Sequence, residues 1–202
     1  VYKRQELSNI INKTSFAMAY QDARHFLNGL YLNSDNGKLV SVCTDGHRLA
    51  KYTSNMDVNN DLSIIIPRKA VLEINRVLQS FSDNIISKVI EGSYPNYNKV
   101  IPEKTTSQIT VDKLALKNSL NIISKVVNQQ YKGVKLTPNE STMHLISSNT
   151  DSEIGEDQID VQYQGEDISI GFNISYLQDV IDIISSETVY ICFNDQNSGC
   201  VI

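Results

Sequence analysis

Apolar residues recur along this chain in two periods, and the periods alternate twice. Leu7, Ile10 and Ile11 fall on one face of a short helix. Leu116, Leu120, Ile123 and Val127, spaced i, i+4, i+7 and i+11, predict one buried stripe of a longer helix. Each helix leads into a hairpin. The first is Gly29-Leu30-Tyr31-Leu32 and Leu39-Val40-Ser41-Val42 around the turn-rich Asn33-Ser34-Asp35-Asn36-Gly37. The second is Gly133-Val134-Lys135-Leu136 and Met143-His144-Leu145-Ile146 around Thr137-Pro138-Asn139-Glu140. A second helix follows each hairpin. Pro67 suits a first helical turn, with Val71, Ile74 and Leu78 on the apolar face. Asn173 suits a cap, with Leu177, Val180, Ile181 and Ile184 inside.

The two series are copies of one unit. A shift of 104 residues carries Gly29 onto Gly133 and holds without a gap through Asp45, and a shift of 106 carries Pro67 onto Asn173. Such a period is longer than that of a solenoid, so it marks a duplicated domain. Each copy reads as helix, hairpin, helix and strand with short connections, which is an α+β architecture.

Bulk properties narrow the function classes. The 202 residues suffice for one large or two small domains. No apolar run approaches the ~18 residues needed to span a bilayer. Cys43, Cys192 and Cys200 are odd in number, lack metal-ligand spacing and sit in apolar runs, which predicts buried free thiols in a reducing compartment. A net charge of −5 argues against a simple nucleic-acid binder. No catalytic set is visible. His25, His47 and His144 are scattered, and neither a phosphate-cradling GxxxxGKS loop nor a metal motif occurs. His47 beside Asp45 lacks a nearby nucleophile, so a binding module is expected in place of an enzyme, without metal or cofactor.

Three strings remain to be explained. Thr44-Asp45-Gly46-His47-Arg48-Leu49-Ala50 follows the alternating run Lys38 to Cys43, with Asp45-Gly46 as a turn. Ser93-Tyr94-Pro95-Asn96-Tyr97-Asn98-Lys99-Val100-Ile101-Pro102 reads as an extended linker bracketed by prolines. Gly171-Phe172-Asn173-Ile174-Ser175-Tyr176-Leu177 opens the last helix. Together and in this order, the three resemble the bacterial DNA polymerase III β subunit family, the ring-shaped sliding clamps, from about Glu6 to Ile202.

The resemblance implies duplicated processivity-clamp domains, each with paired helices packed on antiparallel sheets. Residues 6–92 would be the second clamp domain and 93–202 the third. It also implies a non-catalytic, bacterial cytoplasmic protein that encircles duplex DNA as a head-to-tail homodimer. Its partners would be the DNA polymerase III catalytic subunit, the clamp loader and other proteins carrying clamp-binding motifs of the Gln-Leu-x-Leu-Phe type. A peptide pocket between the two domains is matched by Leu27, Thr44, Gly46, His47, Arg48 and Leu49 from the first. Pro95, Lys99, Val100, Tyr131, Asn173 and Tyr176 complete it. Apolar walls would receive leucine and aromatic side chains while a few polar groups orient the peptide. The loop Ala19 to Phe26 matches a DNA-facing loop, with Gln21, Arg24, His25 and Phe26 as candidates. Lys69 and Arg76 on one helix, and Lys113, Lys117 and Lys125 with Asn121 on another, would add sequence-independent phosphate contacts. Acidic Glu153, Glu156, Asp157, Asp160, Glu166 and Asp167, set apart from these cations, fit a ring that surrounds DNA without adhering to it. The competing expectation is a protein-interaction domain pair with no DNA role.

Three departures from the family pattern carry expectations of their own. Val1-Tyr2-Lys3-Arg4-Gln5 resembles a translated sequencing adapter, which would make the chain a fragment lacking the first clamp domain and unable to close a ring. Ser82-Asp83-Asn84-Ile85-Ile86 reads as the junction of an internal deletion. The chain stops at Ile202, before the family's last strand and tail. Missing strands predict an open sheet edge, an uncovered apolar helix face and a marginally stable first domain.

Overall fold

Alternation of buried and exposed positions closes the strands into two antiparallel sheets, one in each of two compact units spanning residues 1–97 and 98–202. The structure is a computed structural model that describes residues 2–78, 85–128 and 130–202, with Tyr2 and Lys3 as backbone alone. Val1 and Ser82, Asp83 and Asn84 of the expected adapter and deletion junction lie outside the described residues.

The first unit comprises α1 (Tyr2–Thr14), β1 (Gly29–Asp35), β2 (Lys38–Thr44), β3 (Leu49–Asp57), β4 (Ser63–Pro67) and α2 (Arg68–Val77). Its sheet order is β3-β2-β1-β4. The β1–β2 hairpin is tighter than the polar stretch suggested. Asp35 pairs with Lys38, and only Asn36 and Gly37 turn, both at positive φ (49° and 74°), the geometry that Asn-Gly favours between twisted strands. One sheet face packs Leu30, Leu32, Leu39, Cys43 and Ala50 against Ile10 and Ile11 of α1 and Val71 of α2. The other face carries Tyr31, opposite Val42 in register. Tyr94 stacks on Tyr31 with ring centroids 4.5 Å apart, and Tyr97 meets it edge-on at 6.4 Å.

The second unit runs β5 (Ser107–Asp112), α3 (Lys113–Ile123), β6 (Gly133–Pro138), β7 (Thr142–Ser148), β8 (Ile154–Gln164), β9 (Ile170–Asn173), α4 (Ile174–Ile183) and β10 (Thr188–Phe193). Its sheet order is β10-β5-β8-β7-β6-β9. Its core joins Leu116, Leu120 and Ile123 of α3, Leu177 and Ile181 of α4, and inward residues of the strands. The repeat is exact in register where the sheets are built. Gly29 pairs with Pro67, and Gly133 pairs with Asn173. Tyr31 pairs with Val42, and Lys135 with Ile146.

Several boundaries differ from expectation. Pro67 precedes the first helical residue and offers no side-chain cap. α3 ends at Ile123, so Val127 is buried beyond the helix and Lys125 is not on it. The stretch between the two prolines is not wholly extended, because Tyr97, Asn98 and Lys99 form a 3-10 turn. The units divide between Tyr97 and Asn98, not after Gly92, since Tyr94 and Tyr97 pack on Tyr31. The apolar stripe of α1 is covered, with Ile10 and Ile11 buried, although Leu72 of α2 is exposed. No helix among the described residues is long and apolar enough to cross a membrane. The three cysteines are free; Cys43 is buried, and desolvation pushes its thiol up to about 12.

Candidate functional site

The loop between β2 and β3 is organised by its own polar side chains. Thr44 Oγ1 accepts the Gly46 N–H at 3.0 Å and donates to the Arg48 carbonyl at 2.6 Å. Asp45 Oδ1 accepts the N–H groups of His47 (2.9 Å) and Arg48 (3.0 Å), while Oδ2 takes Arg48 Nε at 3.1 Å. The Arg48 guanidinium also donates to the Phe16 carbonyl at 3.0 Å and lies 5.4 Å from the Phe16 ring centroid. Gly46 sits at φ +93°, where a Cβ would be strained. The backbone of Gly46 and His47 is thereby held rigidly while both residues stay exposed. Leu49 is half-buried at the start of β3, and Leu27 is core, at 2% exposure.

The neighbouring loop at residues 20–28 is equally constrained. Asn28 and Asp22 exchange two hydrogen bonds, at 2.8 and 3.0 Å. Arg24 grips the Asp22 carboxylate with Nε at 2.9 Å and Nη2 at 2.8 Å. Those bonds from Arg24 hold the Asp22 carboxyl down at about 2. The same Nη2 donates to the Asp45 carbonyl at 3.3 Å. The structure therefore brings Arg24, expected on the DNA side, against the loop that carries the peptide candidates. Gln21 is exposed at φ 57°, His25 is exposed and Phe26 is half-buried. Arg68, missed in the sequence reading, donates to the Met18 carbonyl at 3.1 Å and stacks on Tyr20 at 5.7 Å. Lys69 is exposed, and the exposed Arg76 pairs with Glu73 at 2.9 Å.

In the second unit, the N-terminus of α4 gathers three candidates. Asn173 Oδ1 caps the helix by accepting the Ser175 N–H at 3.0 Å. Tyr176 is half-buried one turn on. The Ile174 N–H donates to the Lys132 carbonyl at 2.8 Å, which brings in the turn holding Tyr131, exposed at 72%. Asn128 fixes that turn by accepting the N–H groups of Gln130 and Tyr131. Lys99 and Val100 are exposed in this unit, and Pro95 is exposed in the first.

The expected cationic stripe on α3 is not a free one. Lys113 Nζ donates to the Ile184 carbonyl, Lys117 Nζ pairs with Asp182 at 2.7 Å, and Asn121 accepts from Gln178 at 3.0 Å. These three side chains are engaged by α4 and the residue after it, although Asn121 is exposed; Lys125, also exposed, lies beyond the helix end. Among the described residues, no cluster of three or more His, Cys, Asp or Glu side chains could hold a metal ion.

Comparisons with known proteins follow the two units. Residues 2–94 match the family model of the DNA polymerase III beta subunit, central domain, and residues 98–202 that of its C-terminal domain. Among curated relatives named beta sliding clamp, that of Haemophilus influenzae is 34% identical over 215 residues (97% of this chain, 59% of the relative). That of Pseudomonas aeruginosa is 31% identical over 219 residues (98% and 60%). A crystal structure of the Pseudomonas aeruginosa subunit superposes with a TM-score of 0.92 at 31% identity, covering 98% of this chain and 59% of that one. A Bartonella birtlesii clamp bound to griselimycin gives 0.89 at 29% identity (98% and 60%). The chain thus spans about 60% of the length of the curated relatives it matches.

Proposed function

The chain belongs to the DNA polymerase III beta subunit family, the bacterial sliding clamps, and on that ground we propose that it serves within a closed ring on duplex DNA that tethers the replicative polymerase. The role is topological. A ring leaves DNA only by opening, so a bound polymerase stays near its template at high effective concentration. The chain supplies no catalytic chemistry, and ring loading falls to an ATP-driven clamp loader. In the intact cytoplasmic protein, two copies join head to tail.

The observation that carries this reading is the loop at 44–49. Its backbone is held by Asp45, Thr44 and Arg48 while Gly46 and His47 remain exposed, the arrangement a preformed peptide site needs. Leu27, Leu49 and the aliphatic part of Arg48 supply apolar support. Pro95, Lys99, Val100, Tyr131, Asn173 and Tyr176 are the proposed contributors from the linker and the second unit. Gln21, His25, Phe26, Lys69 and Arg76 are proposed to face DNA. Lys113 and Lys117 would add little, since their ammonium groups are already engaged.

The test is fluorescence polarisation of a labelled Gln-Leu-x-Leu-Phe peptide against the chain, with His47→Ala and Tyr176→Ala. Saturable micromolar binding that both substitutions abolish supports the reading. A folded chain that never binds the peptide overturns it. An interaction module without a DNA role would bind the peptide equally well. It would show no salt-dependent retention on DNA in the intact protein.

A further inference from the structure

We propose that Arg24 is a positioning residue that locks the 20–28 loop to the 44–49 loop, so that the first holds the second in its peptide-receiving shape; this rests on the peptide-binding reading above. A continuous path of bonds links the sheet to the lock. The Arg68 N–H at the start of α2 donates to the Asn28 carbonyl at 3.0 Å. Asn28 holds Asp22 through two bonds, and Asp22 holds the Arg24 guanidinium through two more. The guanidinium then reaches the Asp45 carbonyl and covers Gly46, where a Cβ would lie 2.8 Å from Nη2.

This geometry distinguishes a lock from a phosphate contact. A cation that meets phosphate needs charge and freedom to follow the backbone. Arg24 has its fork committed to a carboxylate two residues away and to a carbonyl 21 residues away. Lysine keeps the charge but cannot make the bidentate fork, so Arg24→Lys separates the two roles. Gly46 belongs to the same device, because a side chain there would both strain the backbone at φ +93° and displace the guanidinium. The same loop is also held by Arg48, through Asp45 and Phe16. Arg24 therefore adds a second, independent tie on the segment that bears His47.

The experiment compares wild type, Arg24→Lys and Asp22→Asn in the full chain by two readouts. One is polarisation of the labelled Gln-Leu-x-Leu-Phe peptide; the other is amide hydrogen exchange at Gly46, His47 and Arg48. Circular dichroism confirms that each variant is folded. Both variants are expected to bind the peptide roughly two- to fivefold more weakly, since the Arg24 side chain is half-exposed and solvent screens its bonds. Both should also exchange faster at the three amides. Wild-type affinity or wild-type exchange in Arg24→Lys overturns the lock. If the wild type itself fails to bind the peptide, the peptide reading fails. The exchange data then decide on the lock alone.

Discussion

In the second unit β5 pairs with the C-terminal part of β8, from Gln108–Gln164 to Val111–Val161, and β10 extends the sheet further. In the first unit the equivalent strand, β3, is paired among the described strands only with β2. Its exposed edge is managed by a side chain. Glu6 Oε1 on α1 accepts the Asn55 N–H at 2.9 Å and the Tyr52 hydroxyl at 3.2 Å. The far face of the same sheet is closed by Tyr94 and Tyr97. The repeat is kept where register depends on it and abandoned at the margins. The hairpin and the strand-to-helix joint are the common architecture, and each copy finds its own cover. With the outer edge of β3 unpaired among the described strands, the first unit is expected to be the less stable of the two.

The largest test of that contrast uses one repeat position twice. Leu32 and Leu136 are equivalent, and both are buried. Truncation to alanine should cost about 2–5 kcal/mol at each. Denaturant unfolding followed by amide exchange should show the lower cost, and the lower starting stability, at Leu32. Equal stability of the two units, lost together in one transition, would break the comparison. Next comes Tyr94→Ala, which removes the ring stacked on Tyr31. A loss of about 2–3 kcal/mol from burial and stacking is expected in the first unit, with the second unaffected. Asn173→Ala should cost about 1 kcal/mol and fray the first turn of α4. The equivalent Pro67 has no side-chain cap to lose. Smallest is Lys117→Ala, whose exposed pair with Asp182 contributes about 0–1 kcal/mol and should fade with added salt. The Asp22–Arg24 contact sharpens the contrast along the pH axis. Its contribution is full above the ordinary value of 3.8 and is lost as pH falls through about 2, which the Asp22 carboxyl carbon shift would report.

The hairpins and the duplication were legible because strand periodicity is local, and β2 and β7 keep the same bounds under the 104-residue shift. The α3 stripe overran its helix because burial does not stop where helical hydrogen bonding does; Val127 is core in a turn. The tyrosine cover was illegible for a different reason. Tyr94 and Tyr97 lie more than 60 residues from the Tyr31 ring they meet, and no local period marks such a contact. The candidate site shows the same limit. The Thr-Asp-Gly-His-Arg string announced a turn, and its internal bonds follow from neighbours in sequence. Lys113 and Lys117 were spaced for one helix face, but spacing does not say which element that face meets. Their acceptors, the Ile184 carbonyl and Asp182, come from the far end of the unit. Arg24 was read by its charge, when its fork and its partners determine where it points.

The stacking of Tyr94 on Tyr31 also decides how the first unit responds to tension. A load applied along the chain from Asn98 meets two rings lying across a sheet, and rings detach one at a time. Peeling them frees only the stretch from Glu91 to Tyr97, about 23 Å of chain at full extension, because the Ile90 N–H stays bonded to the Ile65 carbonyl of β4. In an optical trap that release would appear as a short, low-force step ahead of unfolding, a mechanical fuse set into the joint.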